Sequence, residues 1–549
     1  MEKLKNKIIE NKMFLLVGFF IILTLILPIT QNELVIGDDY EYHISRIQSI
    51  SDSLKLREFP VKIHSQLANG YGYASGIFYP NLFLYIPAIL NVFGIHITIS
   101  YKIFIGLMLC FMFVISYFSL KNITENKTSA LIGTIVIMLS RNLIFNLYHR
   151  FALGEFLGFI FILPIISGMY DYVHKDFKKP WFLVIGFWGV INSHIITTVI
   201  CLVVCIIYFL LNIKSTIKNW KKFVKLIICA VIAMCLTSSF WIPAIEQYTK
   251  QIYNFSTAWT VIGNSEYSFI DLLGNRKTSV GYLIAAFLPL CIYFLLDKRT
   301  NKTTKLFIVC MIFVMLLTVF HSFWKITNDV TNLLQFKWRL VGLITVFAGI
   351  SIALIVKDLN SDIKINTDYI IIGLLMISMF WATEFTNFDN RTNIRISNQD
   401  LMKNMYIGEG SIGGGKEYFP VEVAYENLIN TNIAFGSTGN KVDVKKFGLD
   451  VEFEKKENDT SYEIPFIYYY GYAANIENEE GSKALEVEKS ENGLVKVLVA
   501  EEDIGTIHVW YDGTMMQKVS YIISAITYLG VVIYLVINIF KNKNVGKKE

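Results

Sequence analysis

The stretch KMFLLVGFFIILTLILPI, residues 12–29, and the polar segment GDDYEYHISR, residues 37–46, together decide the fold class. The first is an uninterrupted apolar run of the length that a membrane-spanning helix needs. In the second, Asp39, His43 and Arg46 follow the i, i+4, i+7 spacing that aligns side chains along one face of a helix. The sequence therefore predicts a membrane anchor with a charged helix at its outer end.

This charged segment has two interpretations. An acid and a histidine at the mouth of a transmembrane helix are suited to taking a proton from an acceptor hydroxyl group. An interfacial amphipathic helix whose charges face water would show the same pattern. Asp38 and Asp39 could also offer oxygen ligands to a divalent cation such as Mg²⁺ or Mn²⁺, although no ligand-spacing motif completes such a site.

The composition is typical of a polytopic membrane protein. Of the 549 residues, 54% are hydrophobic and 17% are charged, whereas soluble domains carry about a quarter charged residues. The net charge of +5 comes mostly from lysines in short loops, which indicates membrane topology and not a nucleic-acid partner. All seven cysteines lie in apolar runs, so the sequence indicates neither a disulfide framework nor a cysteine metal site.

The apolar runs predict about twelve transmembrane helices, several of them shorter than the roughly 20 residues of a straight span. The predicted spans are residues 12–29, 101–120, 129–141, 153–170, 180–196, 197–213, 223–241, 281–296, 305–321, 339–356, 369–383 and 519–540. Lysine-rich loops orient these spans with both termini in the cytoplasm of a plasma-membrane protein. That orientation requires residues 78–95, which Pro80 and Pro87 interrupt, to stay on the outer side without crossing.

Three regions follow from this pattern. They are a transmembrane domain (residues 1–383, with a large first outer loop at 30–100), an extracytoplasmic β-rich domain (384–518) and a last transmembrane helix with a basic cytoplasmic tail (519–549). Alternating apolar and polar residues predict the strands of the β-rich, sandwich-like domain. The dipeptide Asn492-Gly493 predicts a hairpin turn within it.

The motif YHRFALGE, residues 148–155, places charges at the outer end of a predicted span. Such charges are costly near a bilayer and therefore suggest function. Glu155 would be a second carboxylate facing Asp39 across a cavity, while Arg150 would bind phosphate and Tyr148 would contact substrate. The alternative is a glutamate that caps its helix, where the helix dipole favours negative charge, and pairs with the neighbouring arginine.

Three further polar residues belong to the predicted site. His194 could bind phosphate or position Asp39, although a histidine between two spans also serves as an interhelical polar contact. In LLQFKWR, residues 333–339, Arg339 can clamp a phosphate and Lys337 can add a point charge. Snorkelling of both side chains to the membrane surface is the alternative.

These motifs in this order resemble a bacterial and archaeal family of polytopic proteins, the "6-pyruvoyl-tetrahydropterin synthase related" membrane family. The motifs are DDYEYHISRI (38–47), FPVKI (59–63), GYGYASGIFYPNLFLYIPAIL (70–90), YHRFALGE (148–155) and LLQFKWRL (333–340). The resemblance covers roughly residues 10–380. The family looks like a branch of the GT-C glycosyltransferases, and its label is not a guide to chemistry, because the chain has no histidine cluster comparable to that of the soluble pterin enzyme.

The resemblance implies a role for each acid. Asp39 matches the acidic residue of the first outer loop, which acts as a general base or metal ligand, and Glu155 matches the acid after the arginine of the second outer loop. The chain departs from the family pattern at Phe151, where a glycine is common, and at Lys337, where a proline is common.

The function that we expect is therefore transfer of a sugar from an undecaprenyl- or dolichyl-phosphate carrier to an extracytoplasmic acceptor, which could be a cell-envelope glycan, a lipid or a protein. Besides the two acids, His43, Arg46, Tyr148, Arg150, His194, Lys337 and Arg339 are expected to bind substrate or phosphate. The alternatives are a non-catalytic membrane protein that binds lipid-linked glycans or assists polymer assembly, and a transporter. Transport is disfavoured because the polar groups cluster at the outer rim and not at mid-membrane.

Overall fold

A computed structural model describes residues 12–30, 34–35, 37–214, 219–255, 267–275, 278–362, 371–376, 395–396, 401, 406, 409–479 and 481–545. The chain forms two compact units. The first comprises Met1–Tyr40, His96–Ala230 and Ala258–Lys403, and the second comprises Glu41–Ile95, Val231–Thr257 and Asn404–Glu549.

Helices dominate the first unit and strands dominate the end of the second. The α-helices are α1 (Lys12–Ile26), α2 (Tyr40–Lys55), α3 (Ser75–Phe78), α4 (Tyr85–Val92), α5 (Ile97–Thr124), α6 (Lys127–Met138), α7 (Arg141–Ile144), α8 (Leu153–His174), α9 (Trp181–Ile191), α10 (Ile195–Leu211), α11 (Trp220–Leu236), α12 (Ser238–Lys250), α13 (Tyr282–Leu296), α14 (Lys302–Val319), α15 (His321–Ile326), α16 (Asn328–Thr331), α17 (Leu340–Asp362) and α18 (Met515–Val545). The strands are β1 (Leu34–Val35), β2 (Arg395–Ile396), β3 (Ile433–Gly436), β4 (Lys441–Asp443), β5 (Lys445–Phe447), β6 (Asp450–Glu454), β7 (Ser461–Ile467), β8 (Tyr472–Asn478), β9 (Gly481–Lys489), β10 (Leu494–Leu498) and β11 (Thr506–Tyr511).

The chain is a multi-pass membrane protein, but the count of twelve spans is not confirmed. Six helices in the described ranges are long and apolar enough to cross a membrane, or up to eight segments if two bent helix pairs each count as one span. The six are Lys12–Ile29, Ile97–Thr124, Leu153–His174, Lys302–Val319, Lys337–Leu359 and Met515–Asn538. Helices α9, α10 and α13 are apolar but shorter. Of the predicted span 369–383, only residues 371–376 lie within the described part, and they are helical.

Two helices form the centre of the first unit. Span-length windows of α8 and of the segment that contains α17 are each 94% buried. Helix α9 approaches α8 closely because it carries glycines at the contact: a Cβ atom on Gly189 would lie 2.1 Å from the Phe161 ring. Small residues of this kind let neighbouring helices pack backbone to backbone in membranes. Glu155 lies in the first turn of α8, and Arg339 directly precedes α17.

The segment with Pro80 and Pro87 forms only short helices. A 3₁₀ turn at Leu82–Leu84 leads into α4, which has eight residues. A straight α-helix of that length spans about 12 Å, far less than the hydrocarbon core. The expectation that this segment does not cross as a helix agrees with its length.

The β-rich region is one nine-stranded antiparallel sheet and not the predicted sandwich. Its strand order is β4-β3-β7-β10-β9-β8-β11-β6-β5. The two edge strands, β4 and β5, follow one another in the chain and are separated only by Val444. Because one residue joins both edges, the sheet must curl round on itself, which makes it barrel-like. The predicted hairpin is confirmed, since Gly493 adopts a positive φ in the turn between the paired strands β9 and β10.

The sheet shares its core with parts of the first outer loop. Ile63, Tyr73 and Phe78 belong to the same buried apolar cluster as Ile464 and Val495 of the sheet. Hydrogen bonds strengthen this packing, because the Tyr73 hydroxyl donates to the backbone carbonyl of Ile412 at 2.8 Å. The described fold thus groups residues 41–95 with the sheet, whereas the sequence grouped them with the transmembrane domain.

Candidate active site

The site begins with a tight turn between the first span and α2. Asp39 lies in this turn, directly before Tyr40 starts the helix, which corrects the expectation that Asp39, His43 and Arg46 share a helix face. The backbone N–H of Asp39 donates to the carbonyl of Arg150 at 2.8 Å. This bond links the turn to the segment that follows α7 in the first unit.

The same contact requires a glycine at position 37. A Cβ atom on Gly37 would lie 2.7 Å from the Phe151 nitrogen and 2.8 Å from the His149 oxygen, closer than real Cβ atoms approach. Phe151 itself has a φ of 56°, a left-handed conformation that glycine adopts at no steric cost. Its ring stacks on Tyr101 of α5 at a centroid distance of 4.7 Å, and this packing holds the strained residue in place.

Four charged side chains form one network. Arg150 Nη2 lies 3.5 Å from Asp39 Oδ2, and Arg150 Nη1 lies 3.0 Å from Glu155 Oε2. Arg339 Nε lies 2.9 Å from the other oxygen of Glu155. The structure therefore brings together two predicted acids and two predicted arginines that are far apart in sequence, with formal charges that sum to zero.

Glu155 is the centre of this network. It lies in the first turn of α8, where the helix dipole favours a negative charge, and its side chain is only 9% exposed. Both carboxylate oxygens are engaged by guanidinium groups. A carboxylate held in this way is suited to orienting arginines and not to accepting a proton.

Asp39 has a different environment. Its side chain is 39% exposed, and its contact with Arg150 is the longest in the network. Loss of hydration raises the pKa of Asp39 from 3.8 to about 6, and the attraction of Arg150 offsets only part of that rise. A reachable carboxylate with such a pKa is suited to general-base catalysis near neutral pH.

Aromatic rings support both arginines. The Arg150 guanidinium lies 4.5 Å from the centroid of Trp338, and that of Arg339 lies 5.0 Å from Phe336. Arg339 Nη1 donates to the carbonyl of Leu334 at 2.7 Å. Among the described residues, the hydrogen bonds of Arg339 run from Nε and Nη1. Nη2 makes none of these bonds, so it can donate to an anionic ligand while they stay in place.

His194 packs beside the network. It caps α10, and its Nδ1 accepts the backbone N–H of Thr197 at 3.3 Å. Because a backbone N–H can only donate, the neutral ring must carry its proton on Nε2. Gly158, one turn after Glu155, contacts this histidine, since a Cβ atom there would lie 3.3 Å from His194 Cβ. His194 is thus arranged as a hydrogen-bond donor near the charges.

Two other predicted residues have packing contacts. Tyr148 is buried in a π-helical turn, Phe145–His149, and its hydroxyl donates to the carbonyl of Leu25 in α1. Lys337 is also buried, and its ammonium group lies 3.3 Å from His321 Nδ1. These positions favour structural roles over the predicted direct contacts with substrate.

His43 and Arg46 lie in the second unit. Both are buried, and His43 packs against the ring of Tyr79. Arg46 Nη2 donates to the carbonyl of Pro80 at 2.9 Å and to Asn81 Oδ1 at 2.6 Å. Since neutral acceptors of its own unit already bind this guanidinium, the geometry favours a structural role over the predicted phosphate contact.

The acids near the turn do not form a recognisable metal site. Within the described part of the chain, no group of three or more His, Cys, Asp or Glu residues is arranged to hold a metal ion. Asp39 directs one oxygen toward Arg150, and Asp38 is exposed. The residues present therefore do not fit the suggested Mg²⁺ or Mn²⁺ site.

An apolar groove begins next to the network in the same unit. It has a volume of about 550 Å³ and is lined by side chains of α8, α10, α14 and α17 and of the segment 323–334. Leu334 lines this groove, and the Leu334 carbonyl accepts the hydrogen bond from Arg339. The charged site and the groove therefore meet at one residue.

Sequence reasoning missed Gly37, Phe336 and the supporting role of Trp338. Gly37 was part of the opening motif, but its close approach to residues 149–151 is a tertiary contact with no local signal. Phe336 and Trp338 alternate with two cations in FKWR, and this alternation is the signal for an aromatic–cation cluster.

No family model matches the chain. The chain is 26% identical to an uncharacterised protein of Lactococcus lactis subsp. cremoris (strain MG1363), in an alignment that covers 98% of this chain and 97% of the relative.

Two solved structures show partial similarity. The cryo-EM structure of arabinofuranosyltransferase AftD from Mycobacteria gives a TM-score of 0.46 at 14% identity over 69% of this chain, and a mutant form of AftD gives 0.43 at 13% identity over 68%. The chain spans 27% of the length of each of these structures. TM-scores below 0.5 do not establish a shared fold.

Proposed function

We propose that the protein is an integral-membrane glycosyltransferase of GT-C type that moves a sugar from a polyprenyl-phosphate carrier to an extracytoplasmic acceptor. The observation that carries this proposal is the junction at Leu334, where the apolar groove meets Arg339. A polyprenyl-phosphate donor matches this arrangement, because its long apolar chain is attached directly to an anionic phosphate. The chain would lie in the groove and the phosphate beside the arginine. Pockets that combine an apolar wall with a few placed polar groups are typical ligand sites.

Asp39 is the general base of the proposed reaction. It takes the proton of the acceptor hydroxyl while that oxygen attacks the anomeric carbon of the sugar. The bond between this carbon and the phosphate oxygen breaks, and its electron pair leaves with the phosphate. A single displacement of this kind inverts the anomeric centre. The polar site thus needs a base on one side and positive charge on the other.

The ion pair between Asp39 and Arg150 links deprotonation of the acceptor to stabilisation of the departing phosphate. When Asp39 accepts the proton it becomes neutral, and its attraction for Arg150 Nη2 falls at the moment when the phosphate gains negative charge. Arg150 can then turn to the departing phosphate, beside Arg339 Nη2. Glu155 is a positioning residue in this scheme, because it holds both guanidinium groups through its two oxygens.

Reconstitution tests the proposal. Proteoliposomes that contain the protein and a panel of polyprenyl-phosphate sugars should release free polyprenyl phosphate, measured by mass spectrometry, when a cell-envelope extract supplies the acceptor. The Asp39→Asn variant should lose activity by at least about 100-fold. The Asp176→Asn variant is the matched control, because Asp176 is a largely exposed acid. Undiminished release with Asp39→Asn would rule out the assigned base.

A non-catalytic glycan-binding protein is the second candidate. The observation that favours it is the charge neutrality of the network, because a balanced set of ion pairs can stabilise a helix bundle without chemistry. The two candidates differ in one measurement. A binding protein would bind lipid-linked sugars, seen as a rise in melting temperature, but would release no polyprenyl phosphate with any acceptor.

A further inference from the structure

The segment between α14 and α17 has an exposed apolar surface that other parts of the described chain do not cover. It consists of α15, α16 and a 3₁₀ turn at Asn332–Leu334, and two hydrogen bonds join α15 to α16: the Thr327 N–H donates to the Phe323 carbonyl and the Thr331 N–H donates to the Thr327 carbonyl. Ile326 is 84% exposed, Val330 is 83% exposed and Leu333 is 63% exposed. We call these three residues the apolar stripe.

The exposed surface of this segment divides into two sides. Ile326 and Val330 are four residues apart and Val330 and Leu333 are three apart, the spacings that place side chains on one face of a helical segment. His321, Lys325 and Asp329 are also exposed, and the same helical spacing places them on a separate side. Trp324 points inward and is 3% exposed. A helix with one packed side, one polar side and one apolar side is typical of a water–lipid boundary.

The segment is joined at both ends to candidate membrane spans, and these connections limit its position. Candidate spans end at Val319 and begin again at Lys337, so both ends of the segment are anchored at the edge of a bilayer. No residue of the apolar stripe is more than seven residues along the chain from one of these span ends, so the stripe lies within about 25 Å of that edge even for a fully extended chain. The occupant that fits an apolar surface at this place is the acyl-chain region of the leaflet.

We propose that the apolar stripe inserts into the leaflet next to the candidate active site and forms the lipid-side rim of the apolar groove. Val330 and Leu333 belong both to the stripe and to the groove lining. A lipid chain can therefore pass from the bilayer into the groove without crossing water. This entry route rests on the proposed function, whereas the lipid contact does not.

Photolabelling of the full-length protein tests the lipid contact directly. The protein is reconstituted in phosphatidylcholine vesicles whose acyl chains carry a diazirine, and labelled residues are mapped by mass spectrometry. We expect at least about tenfold more label on the apolar stripe than on Lys325 and Asp329. Leu316 of α14, which is 54% exposed, is the internal reference for a lipid-facing residue. Label on Leu316 without label on the stripe would overturn the proposal.

A surface substitution gives a second test. Ile326→Asp adds a charge at an exposed position and removes no buried packing, so the fold should persist and label on the stripe should fall severalfold. Lys325→Ala is the matched control and should leave the labelling unchanged. Equal labelling of the stripe in Ile326→Asp and in the native protein would contradict insertion. Labelling requires no sugar donor, so failure of sugar transfer and failure of lipid contact are distinguishable.

Discussion

Two carboxylates in the same network have opposite environments, and their predicted roles differ for that reason. Glu155 is buried between two guanidinium groups, whereas Asp39 is partly exposed and has one distant partner. Sequence reasoning assigned both acids to catalysis, because charges kept near a bilayer suggest function. It had no means of separating the base from the acid that orients the arginines, since that difference depends on side-chain contacts across the fold.

The pH dependence of sugar transfer should follow the ionisation of the Asp39 carboxyl group. Because its pKa is raised to about 6, the carboxylate is ionised above that pH and protonated below it. We expect kcat/KM to be constant from neutral pH down to about 6 and then to fall about tenfold per pH unit. The measurement is initial rate against pH in proteoliposomes. A profile that keeps its full value at pH 5 would contradict the assignment.

The two acids should differ in what their replacement changes. Glu155→Gln should lower the stability of the fold, whereas Asp39→Asn should abolish sugar transfer and leave the stability intact. Removing the Glu155 charge leaves two arginines close together without their shared partner, which costs on the order of 3 kcal/mol for a buried ion pair. Thermal unfolding in detergent should therefore show a lower melting temperature for Glu155→Gln. Folding disfavours the ionised form of Asp39, as its raised pKa shows, so Asp39→Asn should keep or raise the melting temperature while losing transfer. An equal loss of stability in both variants would argue against this division.

At the scale of elements, the position of Asp39, the proposed base, depends on a contact between two turns. The chain at Gly37 packs against the backbone of residues 149–151. In Gly37→Ala the new methyl group must push the turn away, and we expect at least a tenfold loss of transfer with unchanged helix content by circular dichroism. Gly373→Ala is the control, because no other part of the described chain lies within 4 Å of a Cβ atom there. Full activity of Gly37→Ala would show that the contact does not position Asp39.

Phe151 combines a strained backbone with a large aromatic contact. Phe151→Gly should relieve about 1–3 kcal/mol of left-handed strain, but loss of a buried aromatic ring costs about 3–5 kcal/mol. The balance predicts a net loss of stability, measurable as a lower melting temperature. Phe151→Ala should be less stable still, because it loses the ring and keeps the strain. A Phe151→Gly protein more stable than the native one would invert this balance.

At the scale of the whole molecule, the sequence predicts a multi-pass membrane protein, but it does not predict how the chain divides into its two compact units. Long apolar runs such as residues 12–29 identify spans by composition alone. The shorter runs at α9, α10 and α13 gave the same signal, and the predicted span 369–383 lies mostly outside the described residues, so the predicted number of spans exceeds the six to eight found in the described ranges. The packing of Ile63 and Phe78 with the sheet joins segments hundreds of residues apart, which no local pattern reveals.

The orientation of the chain in the membrane is a further prediction. The lysine distribution places the C-terminal tail in the cytoplasm, and a crossing by Met515–Asn538 would put the sheet on the opposite side. A membrane-impermeant maleimide should therefore label Ser482→Cys in intact cells and label Lys543→Cys only after the membrane is opened. The native protein, whose cysteines all lie in apolar runs, is the blank. The reverse pattern would overturn the orientation and the extracytoplasmic acceptor with it.

The curled sheet also restricts how a polymer could be recognised. Its edge strands β4 and β5 have three residues each and are joined by Val444. They therefore offer few unpaired backbone groups to which another polypeptide could add a strand. Partner peptides that extend a sheet need a longer open margin. If the acceptor of the proposed reaction is a polymer that binds this sheet, side chains on the outer surface must supply the contacts, and substitutions there would change selectivity without disturbing strand pairing.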